Sequence, residues 1–398
     1  MAINMYDYQL EAIKNIKNCC ILCGGVGSGK SRTSLGYYHH VNGGVFKPYK
    51  KRKTEPDLYI ITTARKRDTL EWEGELAPFL IPKEKIHIDS WNNIKKYIDV
   101  TGAFFIFDEQ RVVGKGQWVK SFLKISKHNH WVILSATPGD SWSDYIPVFV
   151  ANGFYKNKTA FAREHIIYDY RANYPRIASY RNQGRLIKYR NDILVNMDYK
   201  HEIRTHHENV YLGHSSLDYK EVCKERWNKE KNQPIQNAAE LCYELRKVVN
   251  SDPTRLSKLI DIVRLKKKVI VFYSFDYELD ILKGLDWNSW GVSVAEWNGH
   301  EHQPIPKTDS WIYLVNYSAG AEGWNCIETD TIVFYSQTYS YKTLKQAAGR
   351  IDRLNSPFTD LYYYHLKSRS GIDLAISKAL FTFSSFTSTS LFIIFKAL

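Results

Sequence analysis

Short apolar runs punctuate both ends of the chain and read as strands. In the first half they are residues 20–23 (Cys-Ile-Leu-Cys), 58–63, 86–88, 103–107 and 131–134; in the second, 269–274, 292–295, 311–315 and 331–335. Continuous runs of this length suit strands covered on both faces, as in a parallel sheet. Helical spacing lies between them. Tyr6, Leu10 and Ile13 share one face, residues 31–38 can start a helix, and 256–265 are amphipathic. Residues 150–255 are rich in Tyr, Arg, Lys and Asn, and only 161–165 and 217–227 look helical. The pattern predicts an α/β protein of two lobes, each a mostly parallel sheet flanked by helices. The expected boundaries are 1–149 for the first lobe, 150–255 for a connecting helical insertion and 256–375 for the second lobe. Residues 376–398 form a tail. Its 381–395 stretch is uncharged, too polar to span a membrane and without the pattern of a closing helix.

Composition adds a partner class. Among 398 residues the formal net charge is +13, which favours a polyanion, nucleic acid before a membrane surface. Mere solubility is the plain alternative. The 28 Tyr and 11 Trp suit base stacking, although most belong in cores. Cysteines stand at 19, 20, 23, 223, 242 and 326. Cys20 and Cys23 have no second pair at matching spacing, so all six read as small buried hydrophobes in a reducing compartment. His206-His207 has no partner at ligand spacing. No signal peptide or membrane-length apolar run is seen, which sets the expectation of a cytoplasmic location.

The chemistry concentrates in a few places. Gly24-Gly25-Val26-Gly27-Ser28-Gly29-Lys30-Ser31 reads G-x-x-x-x-G-K-S between an expected strand and an expected helix. Glycines let backbone N–H groups curl around phosphate oxygens, and the helix N-terminus adds partial positive charge. Lys30 would reach the β- and γ-phosphates of a nucleotide, and the Ser31 hydroxyl would ligate magnesium. Residues 103–107 deliver Asp108 and Glu109, suited to the magnesium shell and to polarising an attacking water. Gln9 can offer a donor and an acceptor to a purine edge, though a lone Gln on a helix is usually solvated. Two cationic stretches, 47–53 and Ala64-Arg65-Lys66-Arg67, are nucleic-acid contacts or solvated surface. Arg350 and Arg353 are three apart and would share a helix face.

Three motifs in order, 24–31, Asp108-Glu109 and Ser135-Ala136-Thr137-Pro138, resemble motifs I, II and III of the superfamily two helicases and translocases. Tyr8-Gln9 sits where that family carries its Q motif, and Thr63 to Arg67 where it carries motif Ia. Residues 269–274 are similar to motif IV, 316–325 to motif V, and Gln346-Ala-Ala-Gly349-Arg350-Ile-Asp-Arg353 to motif VI. Trp142-Ser-Asp-Tyr145 resembles the Swi/Snf-type branch, and Ala319 to Asn325 with the compact, domain-poor length resemble the bacteriophage-encoded members of the family. Gln110-Arg111 departs from the box families, which carry Ala-Asp or Ala-His there.

The resemblance implies two RecA-like lobes of the P-loop NTPase fold, with ATP and Mg2+ between them. It implies nucleotide contacts from Gln9, Gly25, Val26, Gly27, Ser28, Gly29, Lys30, Ser31, Gly323 and Gln346, and metal binding by Ser31 and Asp108. Catalysis would fall to Lys30, Asp108, Glu109, Arg350 and Arg353, and coupling to Ser135 and Thr137, with Ser318 or Asn325 near that network. Thr63, Arg65, Lys66 and Ser318 would contact nucleic acid. Three activities follow. The first is a monomeric DNA-dependent ATPase acting as helicase or translocase, with phage replication or recombination proteins as partners in a host bacterial cytoplasm. An RNA helicase is the second. A non-hydrolysing nucleic-acid-binding scaffold is the third.

Overall fold

A computed structural model describes residues 3–387 apart from 26, 110–111, 113–115, 140, 171–174, 198–202, 229, 321–325 and 354–355. The chain divides into two units, Met1–Lys200 and His201–Leu398.

Unit 1 opens with helix α1 (Asp7–Asn15), strand β1 (Cys20–Cys23) and helix α2 (Lys30–Val41). Next come β2 (Leu58–Thr62), the short helix α3 (Ala64–Asp68), β3 (Ile86–Ser90), β4 (Phe104–Asp108) and β5 (His130–Ser135). A hairpin of β6 (Ile166–Asp169) and β7 (Arg176–Tyr180) precedes β8 (Leu194–Asn196). Six strands form one sheet in the order β3-β2-β4-β5-β1-β8, every neighbour parallel. The apolar runs form strands because both faces are covered. Leu22, Ile60, Ile106 and Leu134 share a core with Ile13 of α1 and with Leu35 and Tyr38 of α2. On alternate positions, Phe107 and Trp131 pack edge-on against Phe122 of the helix Gln117–Ile125. Each fully buried large side chain of this kind contributes roughly 1.5–3 kcal/mol.

Unit 2 holds β9 (Arg204–Leu212), a two-residue pair β10 (Trp227–Asn228) and β11 (Gln233–Pro234), then β12 (Lys268–Tyr273), β13 (Ser293–Trp297), β14 (Trp311–Asn316), β15 (Thr331–Phe334) and β16 (Asp360–Ser368). Its sheet is again six-stranded and parallel, in the order β13-β14-β12-β15-β16-β9. Period two is visible along β12. Ile270 and Phe272 enter one core, while Val271 and Tyr273 enter the other with Leu259, Ile262 and Val263 of the helix Pro253–Lys266. Both units are RecA-like in their layering: a parallel sheet between helices.

Three features differ from the sequence expectation. The stretch 150–255 is not only helical: it supplies β8 to one sheet and β9 to the other. The tail does not break the helical pattern at residue 381, because the helix Gly371–Thr387 runs through it and is anchored upstream by buried Ile372, Ile376 and Asp373. Residues 388–398 lie outside the described part. Finally, Cys20 and Cys326 are buried as expected, but Cys223 is exposed.

Candidate active site

In unit 1, β4, β5 and β1 end level with one another: Asp108 pairs with Leu134, and Cys23 with Ser135. The phosphate loop leaves the end of β1 and closes on α2. Two glycines are needed there for steric reasons. A Cβ at Gly24 would stand 2.5 Å from Ser28 Oγ and 3.2 Å from Met197 Cβ, and Gly29 has φ +74, a conformation that strains any other residue. Tyr8 OH donates to Ser28 O at 3.1 Å, so α1 braces the loop. Val26 lies outside the described residues.

Lys30 Nζ donates to Gly24 O and Gly25 O, both at 2.7 Å. Burial pushes its ammonium down to about 8, against the opposing charge of Glu109. The buried Ser28 hydroxyl, inside the loop, makes no hydrogen bond among the described residues, nor does that of Thr137. Ser135 Oγ accepts from the Thr137 N–H at 3.1 Å, and Ser135 O accepts from the Gly24 N–H at 3.2 Å. Of the two residues expected to serve coupling, Ser135 is hydrogen-bonded to the loop and Thr137 to Ser135.

Asp108 is 3% exposed. Its Oδ2 accepts from Thr62 Oγ1 at 2.8 Å and from Lys66 Nζ at 2.9 Å, while Trp91 Nε1 donates to its backbone oxygen. Burial would raise the carboxyl's pKa; the Lys66 charge, the hydrogen bonds from Lys66 and Thr62, and the Lys30 charge outweigh it and hold the group below the usual carboxylate range. Glu109 follows with φ 62, a left-handed conformation uncommon outside glycine and of the kind that clusters at functional sites. Gln110 and Arg111 lie outside the described residues.

Lys66 departs from its expected place. It was expected on a nucleic-acid face, yet Nζ lies 2.9 Å from Asp108 and 3.8 Å from Glu109 Oε1. Burial opposes its charge, but the two acids outweigh burial and hold the ammonium above the ordinary lysine range. Thr63, also expected on nucleic acid, caps α3 by accepting from the Lys66 N–H, whereas Arg65 is exposed. In the stretch 47–53, Arg52 is 6% exposed and donates to Phe79 O, Leu80 O and Glu55. The lysines around it are exposed. Gln9 is 2% exposed: its Oε1 accepts from the Tyr6 N–H, and its Nε2 lies 3.5 Å from Gly29 O. Both ends of that amide face α1 and the loop.

In unit 2 the helix Tyr341–Ala348 stops at Gly349, whose N–H turns back to Lys345 O and Ala347 O. Arg350 and Arg353 therefore follow the helix instead of sharing a face of it. Arg350 is 5% exposed, with Nε donating to Gln346 O at 3.1 Å. Ser318 is exposed and donates to Asn316 Oδ1. Gly323 and Asn325 lie outside the described residues.

The two groups expected to hold a metal, the Asp108 carboxylate and the Ser31 hydroxyl, are both oxygen donors. Among the described residues no group of three or more His, Cys, Asp or Glu could hold a metal. A hard cation that keeps most of its shell for water and phosphate fits such a sparse set, and magnesium is of this kind. Among the described residues no helix is long and apolar enough to cross a membrane.

No protein-family model matches the sequence, and no curated protein matches it. Among solved structures, the SWI2/SNF2 ATPase core of Sulfolobus solfataricus in complex with dsDNA is similar to this chain, with 12% identity and a TM-score of 0.43. The match covers 97% of this chain and 92% of that one. The RecA-like assignment stands on this chain's own strand order.

Proposed function

We propose that the chain is a nucleic-acid-dependent ATPase of the helicase or translocase kind, with DNA as the favoured track. The observation that carries this reading is in unit 1. A phosphate-loop lysine, a buried aspartate held ionised by Thr62 and Lys66, and a following glutamate stand at the carboxyl ends of parallel strands, where ligands of such sheets bind. ATP is the substrate. The loop N–H groups, Lys30 and Ser31 would hold its phosphates, with Ser31 and Asp108 toward the metal. Magnesium would neutralise phosphate charge. Glu109 would orient the attacking water and take up its proton. Gln9 would face adenine only after its amide turns from the loop, so bracing Gly29 is the role its present contacts support.

From unit 2 we propose that Arg350 and Arg353 supply positive charge to the transferring phosphoryl group. The +13 net charge supports a polyanionic track, and exposed Arg65 and Lys50, Lys51 and Lys53 are the cations proposed to meet it. DNA is favoured over RNA because Trp142-Ser-Asp-Tyr145 resembles the Swi/Snf-type branch and Gln110-Arg111 departs from the box families. The test is phosphate release with single-stranded DNA, duplex DNA, forked DNA or RNA added in turn. Stimulation by a DNA form supports the reading. Stimulation by RNA alone moves the assignment to an RNA helicase, and no hydrolysis under any condition leaves a binding scaffold.

A further inference from the structure

Two adjacent acids end β4, and Asp108 is almost fully buried. A buried carboxylate is tolerated only with a partner cation or several donors. A bound divalent ion would be one such partner; the structure supplies another from the chain itself. Lys30, the nearby lysine of the phosphate loop, is turned onto Gly24 O and Gly25 O. Lys66 comes instead from α3, at the end of the neighbouring strand β2. It places one ammonium 2.9 Å from Asp108 and 3.8 Å from Glu109. Thr62, the last residue of β2, donates to the same Oδ2, so strand and helix present hydroxyl and ammonium to one oxygen. The Lys66 side chain is 24% exposed, so it borders solvent while its ammonium faces the acids.

We propose that Lys66 is a stand-in for the divalent cation. In the nucleotide-free protein it neutralises and aims Asp108 and Glu109; when metal and nucleotide enter, it yields Asp108 to them. Lys66 is then a positioning residue, and metal and lysine compete for one carboxylate. The competition has a sign. Removing the lysine leaves the free protein with an unbalanced buried charge, and at the same time strengthens the site's hold on a divalent ion. A lysine that serves only as a structural pair would give the first effect without the second. The inference rests on the ATPase reading for the identity of the nucleotide, but the pairing itself does not.

The experiment uses the full chain as wild type, Lys66→Met, Lys66→Arg and the double variant Lys66→Met/Asp108→Asn. Thermal melting is recorded without nucleotide, in chelator and in millimolar magnesium. Lys66→Met should melt several degrees below wild type in chelator and regain most of the loss in magnesium. Wild type, Lys66→Arg and the double variant should respond little. In a second readout, the magnesium concentration for half-maximal binding of a fluorescent ADP should fall about tenfold in Lys66→Met. Equal destabilisation with and without magnesium, together with an unchanged half-point, overturns the proposal. A raised half-point also overturns it, because Lys66 would then belong to the loaded site. If Lys66→Met does not fold, a folded double variant supports the pairing, and failure of both variants assigns the loss to packing and overturns it. If wild type binds no ADP at any magnesium concentration, the ATPase reading has failed, and the melts in magnesium alone still decide the role of Lys66.

Discussion

The two units share one scaffold and place their buried charges differently. In unit 2 two buried charges sit in internal networks, although Arg255 Nε, Trp311 Nε1 and Gln337 Nε2 make no hydrogen bond among the described residues. Glu278, fully buried, accepts from Asn250 Nδ2, the Ser274 N–H and Ser336 Oγ, each at 2.8 Å. Arg255, also fully buried, donates to Tyr335 O and Leu366 O and pairs with Asp373. In unit 1 the polar groups gather at the strand ends: among the described residues Ser28 and Thr137 keep buried hydroxyls without hydrogen bonds, and two lysines stand over loop carbonyls and acids. What separates the two is position: the open hydroxyls of unit 1 lie at the strand ends beside the loop, whereas the networks of Glu278 and Arg255 fix packing.

Arg350 tests the comparison hardest, since it lies in unit 2 but is proposed to serve chemistry. Arg350→Ala should slow ATP turnover by roughly 10³-fold while nucleotide affinity holds. If Arg350 is another internal cation of unit 2, the variant will lose stability and keep its turnover per folded molecule. Asp373→Ala should behave in the opposite way. It strands Arg255 and should cost about 3–5 kcal/mol in a urea melt, with turnover per folded molecule unchanged.

Thr62→Val removes a donor to a buried carboxylate and should cost about 1.5–3 kcal/mol at neutral pH. Asp108 titrates below the usual range in the folded state, so the stability it contributes is present above the unfolded pKa and is lost as pH falls through the folded one. The gap between wild type and Thr62→Val should accordingly narrow in acid. The smallest effect concerns Lys30. Its free ammonium titrates at about 8, and bound phosphate would raise that value. Above pH 8 nucleotide binding must therefore take up a proton, so affinity should fall by up to about tenfold per pH unit. Lys30→Arg should flatten the profile. A flat wild-type profile would mean that Lys30 is not the phosphate cation.

The strands that carry the site were legible because parallel strands are apolar on both faces: 103–107 and 131–134 differ from β4 and β5 only at their ends. The edge strands β3 and β13 were legible in the same way, whereas β8, β9 and β16 were not. The sequence of β9, Arg-Thr-His-His-Glu-Asn-Val-Tyr-Leu, is mostly exposed and shows no apolar alternation. In β16, tyrosines and a histidine replace aliphatic residues. The phosphate loop and acid pair were legible as local motifs. Lys66 was not, because its partner lies 42 positions away and a run of Ala-Arg-Lys-Arg looks like a solvated face. The helix stop at Gly349 could have been anticipated from a glycine after a helical run.

The central claim is that unit 1 hydrolyses ATP with Glu109 as the water-orienting acid. The direct measurement is nucleotide affinity and single-turnover phosphate release, taken separately, for wild type and Glu109→Gln with the most stimulating nucleic acid present. The account predicts that Glu109→Gln binds ATP about as tightly as wild type and releases phosphate at least roughly 10²-fold more slowly. Release at the wild-type rate from bound ATP would contradict it.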